Sequence, residues 1–211
     1  MLAPYPGATI LDLGGGHGQI AEALIQRQYD VTVGGSDPVC AARLKPLVER
    51  DLCKFEVVDF LNLPFEDKSF GIVMSYRLLP HMIEWRRFIA EMTRVAQICV
   101  IVDYPEKQSI NQSAPQLLRL NKQLDGNTHS YTSFDEGELL GEFDQHHFRI
   151  CERYPEFFLP MMLHRTMKMQ KVSESLERVS RRIGLTTKYG SPVILKLIRE
   201  RQATRSLYSV L

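Results

Sequence analysis

The chain has 211 residues, with 26 Lys and Arg against 25 Asp and Glu, 44% apolar residues and 9% aromatic ones. That length and balance fit a single globular domain able to bury about 70% of the surface its unfolded chain exposes, so no metal or disulfide staple is required. No apolar run approaches the roughly 20 residues of a membrane span, and Met1 to Gly7 has neither a basic n-region nor an apolar h-region. Membrane-spanning and secreted readings are set aside.

The cysteines at 40, 53, 99 and 151 form no Cys-x-x-Cys pair, and among the histidines only His146 and His147 are neighbours. No metal site is expected, and a reducing, cytoplasmic setting fits best. The near-neutral total hides a skew: residues 1–60 carry five basic and eight acidic residues, and residues 161–205 carry eleven basic and three acidic. Such a skew marks either an anionic partner or a solvated helix face.

Apolar periodicity alternates from the start. Thr9 to Leu13 reads as a strand, the glycine cluster that follows as a turn, and Gln19 to Gln28 as a helix. Val31 to Val33 is a second strand and Val39 to Glu49 a helix, with Pro38 where a first turn tolerates it. Lys54 to Val58 is a third strand and Phe70 to Met74 a fourth. Ile83 to Ala96 is a helix whose apolar stripe is Ile83, Phe88, Ile89, Met92 and Val95. The wholly apolar Ile98 to Val102 is the pattern of a central, doubly covered strand. Strands alternating with helices in this way predict right-handed crossovers and a parallel sheet covered on both faces.

Beyond Tyr104 the chain turns polar, with a helix expected near Gln116 to Gln123. Ser133-Phe-Asp-Glu136 spells a capping box ahead of a helix from Phe134 to about Phe143. Phe148 to Phe158 reads as a strand, Met161 to Ile183 as one long or broken helix and Pro192 to Ile198 as the last strand.

Ile10-Leu-Asp-Leu-Gly-Gly-Gly-His-Gly18 is the most informative stretch. A strand that enters a glycine turn and opens a helix aims backbone N–H groups at a ligand and lets the backbone approach it closely. Glycine at 14, 15, 16 and 18 exceeds what a bare turn demands. The dinucleotide fingerprint would place a third glycine where Gln19 stands, and a phosphate loop would need Lys and Ser or Thr after the glycine, which are absent.

Asp12, Gly14, Gly16 and Gly18 match the acidic-x-G-x-G-x-G first motif of the class I S-adenosylmethionine-dependent methyltransferases. The resemblance continues through Asp30-Val-Thr-Val, Val58-Asp-Phe, Leu63 to Phe70 and Phe88-Ile-Ala-Glu-Met-Thr-Arg-Val95 to about Pro105. This last series is similar to the ubiquinone and menaquinone methyltransferase branch. It implies an α/β fold: a doubly wound, mostly parallel, seven-stranded Rossmann-like sheet with an antiparallel last strand. The cofactor implied is S-adenosyl-L-methionine, leaving as S-adenosyl-L-homocysteine.

By the same resemblance, Gly14, Gly16 and Gly18 pass under the methionine and ribose portions. Asp12 orders the loop and helps hold the amino group, Asp59 accepts from the adenine amine, and Phe60 packs beside the ring. Asp59 as a loop-starting aspartate and Phe60 as a core side chain are the plainer alternatives. The family's ribose-binding acid, aligned on Val31 to Val33, falls near Gly35. Asp37 either reaches the ribose from a lengthened turn or caps the next helix, with Ser36 a weaker substitute. Gly71 stands where the family usually has Asp.

Methyl transfer from a sulfonium requires an aligned acceptor, exclusion of water and, for a protonated acceptor, a base. Ser75 to His81 follow the fourth strand and would line the cleft. Ser75 is assigned to the cofactor, Tyr76 and Arg77 to the acceptor, and His81 is the candidate base, with a helix-start role as its alternative. The segment lacks the Asn-Pro-Pro-Tyr series of base-amine methylation, and no cysteine is placed for attack on cytosine.

The whole chain, 1–211, is expected to be one domain with substrate-lid insertions at 105–132 and 158–190. Phe157, Phe158, Leu159 and Met161 onward offer an adaptable apolar surface followed by cations, suited to an amphiphilic or anionic small-molecule acceptor. Peripheral lipid contact and a homodimer are compatible with this reading. The leading expectation is methyl transfer to O, N or C of such a molecule. The alternatives are an inactive cofactor-binding protein of the same fold and an RNA methyltransferase using the basic C-terminal segment. Nucleic acid is disfavoured, since no RNA-binding module is recognisable.

Overall fold

The computed structural model describes residues 1–16, 18–107, 132–156, 186 and 190–200. Its strands are β1 (Thr9–Leu13), β2 (Asp30–Gly35), β3 (Lys54–Val57), β4 (Phe70–Ser75), β5 (Ala96–Tyr104), β6 (Phe148–Pro155) and β7 (Val193–Arg199). They form one seven-stranded sheet in the order β3-β2-β1-β4-β5-β7-β6. β1 to β5 run parallel, and β7 lies antiparallel between β5 and β6. The doubly wound order reverses between β1 and β4, and ligands of open α/β sheets bind in the crevice at such a switch point.

The helices are α1 (Gln19–Ile25), α2 (Lys45–Val48), α3 (Trp85–Val95) and α4 (Glu136–Gln145), with 3-10 turns at Pro38–Arg43 and Leu79–His81. Alternation along each strand sorts the core into two faces. Ile10, Ile72, Met74, Cys99 and Ile101 pack with Ala21 and Leu24 of α1. Leu11, Leu13, Val73, Val100 and Val102 pack with Phe88, Ile89 and Met92 of α3 and Leu139 and Phe143 of α4.

Four expectations are corrected. The continuous helix over Val39 to Glu49 is instead a 3-10 turn followed by the four-residue α2. Pro46 explains the break, because it has no N–H to give to the carbonyl four residues earlier and its ring crowds that turn; Leu44 N–H closes a tighter turn on the Ala41 carbonyl at 2.9 Å. Ile83 is 84% exposed and precedes α3, so it is no part of the buried stripe. The cap of α4 is Asp135, whose carboxylate accepts from Glu138 N–H at 3.2 Å, rather than Ser133. β6 ends at Pro155, and Phe157 and Phe158 lie outside the described residues, as do the helices expected at 116–123 and 161–183.

The connection from Asp59 to Ser69 is held to α3 by one guanidinium. Arg94 donates to the carbonyls of Leu63 (2.9 Å) and Phe65 (2.7 Å) and to the carboxylates of Asp67 (3.0 Å) and Glu91. Glu91 returns a bond by accepting from Leu63 N–H at 2.7 Å. The planar fork of arginine is what makes four acceptors reachable from one side chain. Glu91 ionises more readily than a free carboxylate, chiefly because of its bond to Arg94.

Candidate active site at the carboxyl ends of the parallel strands

The glycine turn joins β1 to α1 as expected, and each described glycine in it has a local reason. Gly14 and Gly18 adopt left-handed backbone angles, φ +83° and +73°. Gly15 lies flush against Asp12: a Cβ there would sit 2.0 Å from Asp12 Oδ2. At Gly16 a Cβ would come within 3.0 Å of the Cys40 carbonyl oxygen, on the 3-10 turn after β2. The fold alone therefore uses all four glycines, so their number does not by itself indicate a ligand. His17 lies outside the described residues.

What points to a ligand is the carboxylate beneath the turn. Asp12 is 1% exposed, and among the described residues neither of its oxygens has a hydrogen-bond partner. Burial alone raises its pKa from 3.8 to about 7. A buried acid without partners costs several kcal/mol in its charged form, and such a cost persists where a bound group relieves it. The hydroxyl of Ser75, across the β1–β4 pair from Leu13, is likewise fully buried and unpartnered. An ammonium would satisfy the Asp12 carboxylate, so this residue fits the amino-acid end of an S-adenosylmethionine-type cofactor; Ser75, in register with Leu13, belongs to the α3 face at the same strand ends.

Asp103 and Tyr76 stand beside Asp12. Each lies two residues beyond a core residue facing α1: Asp12 after Ile10, Tyr76 after Met74 and Asp103 after Ile101. That period places all three on the α1 side of the sheet at its carboxyl end. Burial first, then the charges of Asp103, Asp12 and Glu156, push the Tyr76 phenol up to about 12. Asp103 is raised by burial despite accepting from the Arg77 N–H at 2.6 Å. Asp103 is not among the site residues expected from the sequence; its period-2 relation to Ile101 is the signal that gives its place here.

The remaining expected site residues follow the carboxyl ends of β2, β3 and β4, whereas Gly71 lies at the amino end of β4. Asp37 caps the 3-10 turn, accepting from Val39 N–H at 2.7 Å, which is the helix-capping alternative. β2 runs on through Gly35, so Ser36 and Asp37 follow the strand end directly, and both are exposed. A side chain at Gly35 would come within 2.8 Å of the Phe55 ring, which is why no acid stands there. Asp59 is exposed and accepts from Leu61 N–H at 2.9 Å with one oxygen. Phe60 is half-buried and meets Phe88 edge-on, ring centroids 6.0 Å apart. Arg77 is exposed with φ +61°, and His81 is exposed at the end of the second 3-10 turn, four residues before α3 begins. Gly71 donates its N–H to Thr9 Oγ1 at 2.8 Å, so the start of β4 is braced by a hydroxyl.

Residues 11–98 match the methyltransferase domain family. Over 108 residues the chain is 33% identical to 2-methyl-6-phytyl-1,4-hydroquinone methyltransferase of Synechocystis, covering 48% of this chain and 34% of that protein. It is also 33% identical over 96 residues to norajmaline N-methyltransferase of Rauvolfia serpentina, covering 42% of this chain and 32% of that one. The chain thus spans about a third of the length of these curated relatives. Magnesium protoporphyrin IX methyltransferase of Synechocystis, solved with bound S-adenosylhomocysteine, superposes with a TM-score of 0.62 at 15% identity, over 92% of this chain and 75% of that one. The segment 11–98 is thus similar to the methyltransferase domain family, and the sheet has the class I methyltransferase fold.

Proposed function

We propose that this chain binds S-adenosylmethionine over the β1–α1 turn and transfers its methyl group to an O, N or C atom of a small organic acceptor. The observation that carries the reading is the buried Asp12 carboxylate, unpartnered beneath a glycine turn at the switch point of the sheet. When bound, the sulfonium supplies an activated methyl group, so the protein's part is to position, desolvate and take up a proton.

In this reading Asp12 accepts from the amino group, and Ser75 bonds to the same end of the cofactor. The backbone at Gly14, Gly16 and Gly18 supports the methionine and ribose portions. Asp37 and Ser36 face the ribose, with the Asp37 oxygen that Val39 does not use. Asp59 offers its second oxygen to the adenine amine while the first holds the Leu61 turn, and the exposed edge of Phe60 lies beside the base. Tyr76 and Arg77 line the acceptor cleft, and His81 is the base for an acceptor that must lose a proton.

The acceptor class follows from the fold and from the relatives. The described residues that flank 108–131 and 157–185 all lie at the carboxyl end of the sheet, where insertions serve as acceptor walls. The related proteins named above act by name on a phytyl hydroquinone and on a nitrogen of norajmaline, which favours a small organic acceptor over nucleic acid. Calorimetric titration with S-adenosylmethionine and S-adenosylhomocysteine tests the cofactor. Micromolar binding that Gly16→Arg abolishes and Asp59→Ala weakens supports it. Absence of binding to either compound refutes the reading.

A further inference from the structure

A second feature of the molecule lies behind the candidate site. Between α1 and the sheet there is a cavity of about 860 Å³, within the range of small-molecule pockets. Its helix wall is Ile20, Ala23 and Leu24, a stripe at spacings of three and four residues, and its sheet wall is Met74, Ile101 and Ile194. The lining reaches Tyr76, just past the carboxyl end of β4, and Tyr29, just before the amino end of β2. The cavity therefore follows the strands through the depth of the sheet, a span of about 17–20 Å for strands of this length.

The polar groups on the lining are mostly committed to the protein. Tyr29 donates its hydroxyl to the Leu2 carbonyl at 3.0 Å, and Arg27 donates to the Ala23 carbonyl at 2.9 Å. Glu152 accepts from Lys196 at 2.6 Å, and Arg153 donates to Glu136 at 2.7 Å. Tyr76 differs: its hydroxyl has no hydrogen-bond partner among the described residues. It also sits on the face that carries Asp12 and Asp103 and feels the charge of both.

We propose that this cavity holds the apolar body of the methyl acceptor, an elongated uncharged chain or ring system, with the acceptor's polar reacting head at Tyr76. The inference rests on the methyltransferase reading and names its substrate class. An apolar middle with its polar groups already paired would penalise a charged body and reward one of hydrocarbon character. The Tyr76 hydroxyl donates a hydrogen bond to an oxygen or nitrogen on the head and so holds it at the carboxyl end of β4. Burying the body there contributes affinity in proportion to the apolar area removed from water.

The test uses the full chain with N-phenyl-1-naphthylamine as a neutral fluorescent probe and decylhydroquinone as competitor. The expected result is saturable one-site binding, displaced by decylhydroquinone and weakened at least about tenfold by Ala23→Trp on the helix wall. Ala3→Trp, an exposed position on the rim, is expected to weaken it likewise without risk to the core. Titration of S-adenosylhomocysteine into each variant is expected to give the wild-type affinity. Probe binding that is absent or does not saturate in a wild-type chain that binds S-adenosylhomocysteine overturns the proposal, as does binding that both tryptophans leave unchanged. A chain that binds the probe at this cavity but not S-adenosylhomocysteine refutes the methyltransferase reading while the cavity's specificity stands.

Discussion

The carboxylate of Asp103, near the end of β5, accepts the backbone N–H of Arg77 at 2.6 Å, and that bond holds the turn leaving β4. Arg77 has φ +61°, a left-handed conformation that a non-glycine residue adopts at a cost of about 1–2 kcal/mol. Tyr76 and Arg77, the two residues assigned to the acceptor cleft, thus take their positions from a residue on a neighbouring strand. Asp103→Ala is expected to lower stability by about 1–3 kcal/mol and to reduce kcat with little change in S-adenosylhomocysteine affinity. Asp103→Asn, which keeps an acceptor oxygen, should retain most of both. Urea midpoints and a kcat against KM comparison distinguish the two; equal effects of Ala and Asn would show that the bond to Arg77 does not matter.

Asp12 predicts a pH dependence with a definite sign. Its pKa is about 7 folded and near 3.8 unfolded, so between those values the folded state binds more protons. Stability of the free protein should therefore fall as pH rises from about 4 through 7 and level off above. Asp12→Asn should flatten that decline in thermal midpoints measured across the window. Cofactor binding, which supplies a cation to the carboxylate, should release a proton near pH 6 and none near pH 9. Calorimetry in two buffers of different ionisation enthalpy reads this directly, and an unchanged heat at pH 6 would remove Asp12 from the cofactor site.

Glycines of the chain separate into those the fold needs and those it does not. Gly15→Ala places a methyl 2.0 Å from Asp12 Oδ2 and is expected to be strongly destabilising, since Asp12 is itself locked in the core. Gly141, inside α4, has open space where a Cβ would go. Gly141→Ala is expected to stabilise by about 0.5–1 kcal/mol. The pair of chemical denaturation curves should move in opposite directions.

Arg94 ties the loop that follows Asp59 and Phe60 to α3. Arg94→Lys keeps the charge but reaches fewer of the four acceptors, so a loss of about 1–3 kcal/mol is expected. Because two of those partners are carbonyls, the loss should change little between low and high salt. A loss that vanishes in high salt would mean that only the ion pairs with Glu91 and Asp67 matter.

The order of elements through β5, the glycine turn and the two apolar faces of the sheet were legible in the sequence, because each is written by local periodicity or by residues adjacent in the chain. Ile10 and Asp12, or Ile101 and Asp103, are two apart, and that spacing alone assigns them to one face. The break at Pro46 is absent from the sequence expectation, which has one helix over Val39 to Glu49, although proline's missing donor is a property of one residue. What only the tertiary structure decided depends on residues far apart in sequence. The strand order puts β4 beside β1 and β5, and so brings Asp12, Tyr76 and Asp103 together; Phe55 fills the space at Gly35; Arg94 reaches back to Leu63 and Phe65. Above all, whether the Asp12 carboxylate finds a partner depends on every neighbour that burial places around it. Its unpartnered state, on which the functional reading rests, is a property of the folded chain alone.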